Sequence, residues 1–288
     1  MHKTTHLLAA ATLALAGVFT GTAAHAVPAT GVSGGTTLFS FDTTTPGTVS
    51  NVRTVTGLGN GESLYGIDYR PSNGALYGLG SSGAIYVINA FTGAASLSTM
   101  VGTPLSGTAF DIAFNPVVDR LRIVSDTGQD LRVTVDNGVF NVDGTISYTP
   151  GPSAPTRAPS VTAIAYTNQV RGSVATTTLY DIDAANGLLA IQAPPNSGTL
   201  SAVGSLDVAG LTSFDIDGSG NVGYAATSTA LYSINLVTGA TSSPAAFGIA
   251  NVTDFAITSV PEPVSLALLG VGLAGMAGLR RRGGPATA

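Results

Sequence analysis

The chain has 288 residues and a formal net charge of −5 at neutral pH, and it contains no cysteine or tryptophan. Its three histidines and its only lysine all lie within the first 25 residues. The rest of the chain therefore excludes Ser-His-Asp and Cys-His catalysis, a Schiff-base lysine, an ordinary zinc site and disulfide bonds. Residues 27–259 hold seven arginines and fifteen acidic residues. This balance argues against nucleic acid as a partner, because binding nucleic acid depends on neutralising phosphates.

The first 26 residues have the organisation of a signal peptide. Lys3 supplies a positive start, residues 7–19 form an apolar run, and Ala24 and Ala26 form an A-x-A cleavage site. We expect cleavage before Val27, with the Sec translocon and signal peptidase as partners. We expect residues 27–35 to be a linker that leads into the folded domain.

The body of the chain, residues 36–258, reads as short β segments separated by Gly, Asn, Asp and Ser turns. One motif, an aromatic or polar residue between aliphatic residues, recurs every 46–52 residues. Its five copies start at Leu38, Ile85, Leu131, Leu179 and Leu231. A second motif alternates with the first, and its five copies begin at Gly66, Asp111, Ala163, Asp215 and Asp254.

Five copies of two alternating hairpin motifs predict an all-β fold, a five-bladed β-propeller. The chain starts inside one repeat, at Leu38, and ends with a single second-motif strand near Asp254. Pairing of the N- and C-terminal strands would complete one blade from both termini and remove an exposed sheet edge. The second motif would then form the innermost strands around a central channel. A β-sandwich or a β-solenoid is the alternative fold.

The same body resembles an uncharacterised bacterial family, the domain of unknown function 4394. The residues that carry the resemblance are Phe114-Asn115-Pro116, Asp119-Arg120-Leu121-Arg122, Ser125-Asp126-Thr127-Gly128-Gln129 and Leu131-Arg132. The similarity spans about residues 36–258. It implies the fold and the domain limits, and the family has no known activity to add.

An arginine cluster in the third repeat is the first candidate site. Arg120 and Arg122 share one face of a strand because side chains alternate, and Arg132 follows a turn on the partner strand. Guanidinium groups bind carboxylates in a bidentate fashion. With Asn115 and Gln129, these arginines are candidate ligands for a carboxylate or a sugar acid. The alternative is internal pairing of the arginines with Asp119, Asp126 and Asp130.

Three aspartates of the second motif are the other candidate site. Alignment of the copies places Asp111, Asp215 and Asp254 at equivalent positions, where they would surround the channel. Neighbouring carboxylates repel one another unless they are protonated or bridged by a cation, and ligation by oxygen alone favours calcium. These aspartates are therefore a candidate calcium site. The alternative is that each caps its own turn or bonds a neighbouring backbone group.

The C-terminal thirty residues have a three-part plan. Residues 259–263 contain a rigid polar spacer, Pro261-Glu262-Pro263, and residues 264–279 are an apolar run that we expect to span the inner membrane as a helix. Residues 280–288 form a basic tail that begins with Arg280, Arg281 and Arg282. We expect this tail to be cytoplasmic, because positive charge favours that side.

The C-terminal plan resembles the PEP-CTERM sorting signal of Gram-negative bacteria. The resemblance implies recognition by an exosortase, cleavage near the Pro-Glu-Pro sequence and delivery to the cell surface or extracellular matrix. It also implies an association with exopolysaccharide, which such proteins commonly accompany.

Together these features predict an exported, non-enzymatic binding or structural protein of the cell surface or matrix. The inner membrane would be a transient partner and exopolysaccharide the ligand. The alternative is a cation-dependent propeller hydrolase or lactonase that acts through the channel carboxylates.

Overall fold

The computed structural model describes residues 26–151 and 154–258, which form a β-propeller. The strands, in chain order, are β1 (Pro28–Ser33), β2 (Thr37–Asp42), β3 (Ser50–Thr54), β4 (Leu64–Tyr69), β5 (Leu76–Gly80), β6 (Ala84–Ile88), β7 (Ala95–Met100), β8 (Phe110–Asn115), β9 (Arg120–Ser125), β10 (Asp130–Val133), β11 (Phe140–Val142), β12 (Ser147–Tyr148), β13 (Val161–Tyr166), β14 (Leu179–Asp183), β15 (Leu188–Gln192), β16 (Thr199–Ser205), β17 (Ser213–Ile216), β18 (Gly223–Ala226), β19 (Ala230–Ile234), β20 (Ala245–Ala246) and β21 (Val252–Ile257). A single 3₁₀ turn, Pro195–Ser197, is the helical segment within the described residues.

These strands form five sheets, the blades, within the described part of the chain. From inside to outside, blade 1 is β21-β1-β2-β3, blade 2 is β4-β5-β6-β7 and blade 3 is β8-β9-β10-β11. Blade 4 is β13-β14-β15-β16-β12, with β12 parallel to β16, and blade 5 is β17-β18-β19-β20. The innermost strands contact one another in a closed circle. The predicted all-β five-bladed propeller is confirmed.

Burial explains which strands lie innermost. The inner strand β8 has the sequence FDIAFN and is almost entirely buried, because each inner strand packs between two neighbouring blades. The outermost strand of blade 2, β7, has the sequence ASLSTM and is mostly exposed. Between blades 2 and 3, Leu79, Ile85 and Phe114 belong to one buried cluster. Each such side chain contributes roughly 1.5–3 kcal/mol through its burial.

The two ends of the described chain close the propeller. The last strand, β21, pairs with β1, with Ala29 opposite Ile257 and Gly31 opposite Phe255. The predicted pairing of N- and C-terminal strands is therefore confirmed. The predicted linker over residues 27–35 is corrected, because Pro28–Ser33 is strand β1 and Ala29 is buried between its neighbours.

The two sequence motifs occupy defined places in the blades. All five copies of the second motif lie in inner strands. The first motif forms the third strand of blades 1, 2, 3 and 5, but its copy at Leu179–Asp183 forms the second strand of blade 4. That copy differs because a long loop, residues 167–178, follows the inner strand of blade 4. We call the face where the inner strands begin the upper face and the face where they end the lower face.

The predicted terminal signals lie outside the described residues. This applies to Ala24 and the rest of the signal peptide up to residue 25, to the Pro-Glu-Pro sequence, to the run at 264–279 and to the three terminal arginines. Within residues 26–151 and 154–258, no helix has the length and hydropathy needed to cross a membrane.

Candidate functional site

Four buried aspartates connect the inner strands of neighbouring blades, and we call them the inner-strand carboxylates. Each accepts a hydrogen bond from a backbone N–H on the next inner strand. Because these N–H groups are buried, each needs an acceptor, and the carboxylate supplies it. The bonds join Asp254 Oδ2 to Ile67 N (2.5 Å), Asp111 Oδ2 to Ile164 N (2.8 Å), Asp68 Oδ2 to Phe114 N (2.6 Å) and Asp215 Oδ2 to Ile257 N (2.6 Å).

These bonds correct the alignment of the second motif in blade 5. The Ser213 hydroxyl accepts a bond from Phe255 N (3.0 Å), the kind of bond that Asp111 and Asp254 make at their own junctions. Asp215 lies two residues further along β17, at the position that Asp68 occupies in β4. The predicted equivalence of Asp215 with Asp111 and Asp254 is therefore wrong. The copy Ser213-Phe214-Asp215, rather than Asp215-Ile216-Asp217, repeats the pattern of blade 2.

Burial gives the inner-strand carboxylates unusual acidities. Removal from water raises the pKa of Asp215 and that of Asp254 to about 7. Burial also raises the pKa of Asp68 and that of Asp111 well above the usual range. The charge of Asp215 raises the pKa of Asp68 further, and the charge of Asp254 raises both. The axis of the propeller therefore carries carboxyl groups that exchange protons near neutral pH.

The predicted calcium ligands lie on three different inner strands. Among residues 26–151 and 154–258, no three His, Cys, Asp or Glu residues form a group that could hold a metal ion. Asp111, Asp215 and Asp254 instead accept backbone hydrogen bonds across blade junctions, which is the alternative that the sequence left open. Nearby, Asp217 caps its own turn by accepting bonds from Ser219 N and Gly220 N.

Arg122 lies at the centre of a buried network between blades 3 and 4. Its side chain is 1% exposed, and its Nη1 pairs with Asp130 and, at 3.2 Å, with Asp143. Its Nε donates to Tyr166 Oη (2.8 Å) and its Nη2 to Asn196 Oδ1 (3.0 Å). All three nitrogens of this guanidinium therefore donate to groups inside the protein. The predicted role of Arg122 as a ligand-contacting residue is replaced by a structural one.

Arg132 lies directly opposite Arg122 in the β9–β10 pair and has a different environment. Its Nε and Nη2 bind the two oxygens of Asp143 at 2.5 and 2.8 Å. The side chain is 26% exposed. This ion pair holds the guanidinium in a fixed orientation and leaves its Nη1 without a partner among the described residues.

Arg120 is the arginine of the cluster that remains unpaired. The residue is partly exposed, and its guanidinium has no ion-pair or hydrogen-bond partner among the described residues. It lies on a cavity of about 400 Å³ at the lower face, the lower pocket. The pocket is lined by Asn115, Val118, Arg120, Arg132, Tyr166, Pro195 and Asn196. Three of the predicted site residues, Asn115, Arg120 and Arg132, are therefore brought together.

Gln129 lies away from the lower pocket. Its amide accepts from Ser106 N (2.9 Å) and donates to Pro104 O (2.9 Å), so it fixes the loop that leads into β8. Of the acidic partners predicted for the arginines, Asp130 binds Arg122, whereas Asp119 binds Arg70. Asp126 instead accepts from the backbone and hydroxyl of Thr108.

Residues 37–256 match a family described as a domain of unknown function, DUF4394. The chain belongs to the DUF4394 family. Residues 259–282 match the PEP-CTERM protein-sorting motif. This motif marks an exported protein that passes through a membrane-anchored intermediate and is processed by an exosortase. No curated protein matches the chain.

Two solved structures illustrate what this DUF4394 chain is similar to. A crystal structure of a nidogen/laminin complex matches 82% of the chain and 100% of the matched chain, with 8% identity and a TM-score of 0.44. A structural genomics protein of unknown function from Bacteroides thetaiotaomicron VPI-5482 matches 74% of the chain and 57% of its own, with 15% identity and a TM-score of 0.48.

The DUF4394 domain has site residues that its sequence did not reveal. Asp143 follows the outermost strand of blade 3, and Tyr166 and Asn196 belong to blade 4. The spacing of Asp143 from Arg132 could have suggested a cross-strand pair, since β10 and β11 form a hairpin. Tyr166 and Asn196 meet blade 3 only through propeller packing, which local patterns do not record.

Proposed function

We propose that this chain is a non-enzymatic binding module of the cell surface or extracellular matrix, and that it holds acidic polysaccharide in the lower pocket. The observation that carries the proposal is the unpaired guanidinium of Arg120 beside the oriented guanidinium of Arg132. A uronic acid residue offers a planar carboxylate for such a fork, with hydroxyl groups around it.

The other lining groups shape the pocket and supply a hydrogen bond to a sugar hydroxyl. Tyr166 Oη accepts a bond from Arg122 Nε, and its side chain also bonds Asn115, so this ring, 1% exposed, forms a fixed wall of the pocket. Burial raises the pKa of Tyr166, so its hydroxyl stays neutral. Asn196 uses Oδ1 to accept from Arg122, and its Nδ2 has no partner among the described residues. Arg122 thus holds the wall residue Tyr166 and the binding group Asn196 in place before a ligand arrives, which reduces the ordering cost of binding.

The chemistry of the pocket favours binding over hydrolysis. None of its lining residues is a carboxylic acid or a histidine, so it lacks the usual general acid and base. The inner-strand carboxylates, which the hydrolase alternative would need, are at most 6% exposed and each is bound to a backbone N–H. The binding role therefore has the better support.

Replacement of Arg120 by glutamine should weaken binding of oligogalacturonate at least tenfold, because it removes the unpaired charge and keeps most of the side-chain volume. Isothermal titration calorimetry at constant ionic strength measures the change. Arg157→Gln is the matched control, since Arg157 is exposed and donates to Ala185 O, away from the pocket. Equal losses in the two variants would indicate non-specific charge attraction and contradict the proposal.

The sorting signal leaves the propeller on the same face as the lower pocket. Thr258 N donates to Pro28 O (2.9 Å), so both ends of the described chain lie at this face. The sorting motif begins at the next residue, 259. Residues 259–263 span at most about 18 Å when extended. On this proposal we expect the lower pocket to face the membrane while the chain is anchored.

Exosortase cleavage should accordingly increase binding of long acidic polysaccharide. We expect the full-length chain in proteoliposomes to bind polygalacturonate at least several-fold more weakly than residues 27–258 in solution, because the nearby bilayer obstructs the lower face. A short trisaccharide should bind both forms with similar affinity. Equal binding of the long polymer by both forms would contradict this orientation.

A further inference from the structure

A second cavity, of about 480 Å³, opens on the upper face at the propeller axis. We call it the axial cavity. Residues at the start of all five inner strands contribute to it. Its lining consists of Gly34, Gly35, Ser63, Leu64, Tyr65, Thr108, Ala109, Phe110, Thr162, Thr212, Ser228, Asn251, Val252 and Thr253. Its volume lies within the usual range for small-ligand sites.

The lower end of the axis is closed by the loop of residues 167–178. From blade 4, Gln169 Nε2 donates to Phe114 O of blade 3 (2.8 Å). Arg171 Nη2 donates to Asn73 O of blade 2 (3.0 Å), and Asn168 N donates to Asn221 Oδ1 of blade 5 (2.9 Å). A loop that reaches three other blades crosses the axis. The axial cavity is therefore open only upward, and a ligand enters it end-on.

The lining of the axial cavity combines free polar groups with an aromatic surface. The side chains of Ser63, Thr212 and Asn251 have no hydrogen-bond partner among the described residues. Tyr65 stacks on Phe110 with ring centroids 4.9 Å apart and an interplanar angle of 18°. Hydroxyl and amide groups beside an aromatic ring suit a pyranose, whose edges carry hydroxyls and whose face is apolar.

The charge distribution separates this cavity from the lower pocket. No lining residue is an arginine or a carboxylic acid. Two inner-strand carboxylates, Asp111 and Asp254, lie directly beyond the lining residues Phe110 and Thr253 in their strands. Burial raises the pKa of both carboxyls, so they are largely protonated and leave little formal charge beside the cavity. The axial cavity therefore has no cation to pair with an anionic ligand, and its lining suits a neutral sugar.

We propose that the axial cavity is a second binding site, which takes the terminal residue of a neutral hexose oligosaccharide. It goes beyond the proposed function, since the lower pocket accounts for acidic polymers and rests on different residues. Two sites on opposite faces would allow one propeller to bridge a neutral chain end and an acidic polymer.

The test compares maltohexaose with β-cyclodextrin, a closed ring of the same sugar that has no chain end. Calorimetry should detect binding of maltohexaose by residues 27–258 and at least tenfold weaker binding of β-cyclodextrin. Thr212→Tyr should reduce maltohexaose binding at least tenfold by filling the cavity, since Thr212 is exposed there. Asn251→Gly should weaken it several-fold by removing an amide, and glycine tolerates the positive φ of 62° at this position.

Thr48→Tyr, at an exposed turn in blade 1, is the matched control and should leave binding unchanged. Equal affinity for the linear and cyclic sugars, or no loss in Thr212→Tyr, would overturn the proposal. So would the absence of maltohexaose binding at millimolar concentration. Arg120→Gln should keep full maltohexaose affinity, and Thr212→Tyr should keep full oligogalacturonate affinity. Failure of one site is therefore distinguishable from failure of the other.

Discussion

Replacement of Arg122 by methionine should lower the free energy of unfolding by about 3–5 kcal/mol, because it leaves the buried carboxylate of Asp130 without its cation, whereas Asp143 keeps Arg132. The Arg122 side chain is 1% exposed, and the side chains of Asp130 and Asp143 are 0% and 4% exposed. Methionine fills a similar space, so the loss reports the missing charge more than a cavity. Urea unfolding of residues 27–258, with the midpoint and slope fitted together, measures it.

The matched control for this change is Arg120→Met, two residues away on the same strand face. Arg120 has no ion-pair partner among the described residues, so its loss should change the free energy of unfolding by no more than about 0.5 kcal/mol. Combining Arg122→Met with Asp130→Leu should restore part of the stability, since the double change removes both members of the closest pair. Equal effects of Arg122→Met and Arg120→Met would contradict the structural role of Arg122.

The architecture was accessible from the sequence because each blade repeats the same hairpins. The second motif is short and mostly apolar, and turns flank each copy. The copies in β4 and β8 are almost entirely buried. Closure could be inferred because the first and last copies are incomplete. Strand β1 was missed because its sequence, PATGVS, has small side chains and no motif. Its burial arises from contact with β21 and β2 rather than from its own hydrophobicity.

The candidate sites were less accessible, because their geometry depends on register and on contacts between blades. A shift of two residues keeps the same strand face, so the pattern alone could not distinguish Ser213 from Asp215 as the counterpart of Asp111. The arginines were correctly placed across one hairpin, yet similar spacing concealed different environments. Arg122 is buried because Tyr166 and Asn196 of blade 4 contact its guanidinium. Arg120 lies two residues nearer the lower face and has no such contact.

Raising the pH from 5 to 8 should reduce the free energy of unfolding by about 4–6 kcal/mol through Asp215 and Asp254 together. The folded pKa of Asp215 and that of Asp254 are about 7, whereas an unfolded aspartate titrates near its ordinary value of 3.8. Between these values the folded chain binds more protons than the unfolded chain, so stability falls as pH rises. The contribution is complete below about pH 4 and is lost as the pH passes through 7.

Other buried carboxyls act in the same direction within this window, since burial also raises the pKa of Asp130 to about 6. Carboxyls with lowered pKa, such as Asp119 beside Arg70, oppose it only below about pH 4. Urea unfolding at a series of pH values, at fixed ionic strength, measures the slope. This direction is unusual, because acid ordinarily destabilises proteins whose carboxylates are paired in the folded state.

The variant Asp254→Asn tests how much of this pH dependence comes from the inner-strand carboxylates. The amide oxygen can still accept from Ile67 N, but the side chain cannot ionise, so the fall in stability between pH 5 and pH 8 should be smaller by about 2–3 kcal/mol. Asp207→Asn, at an exposed turn, should leave the slope unchanged. A wild-type protein whose stability is flat or rises across this range would contradict proton uptake at the axis. The axial carboxyls would then have to be ionised in the fold, with a counter-ion that offsets their repulsion.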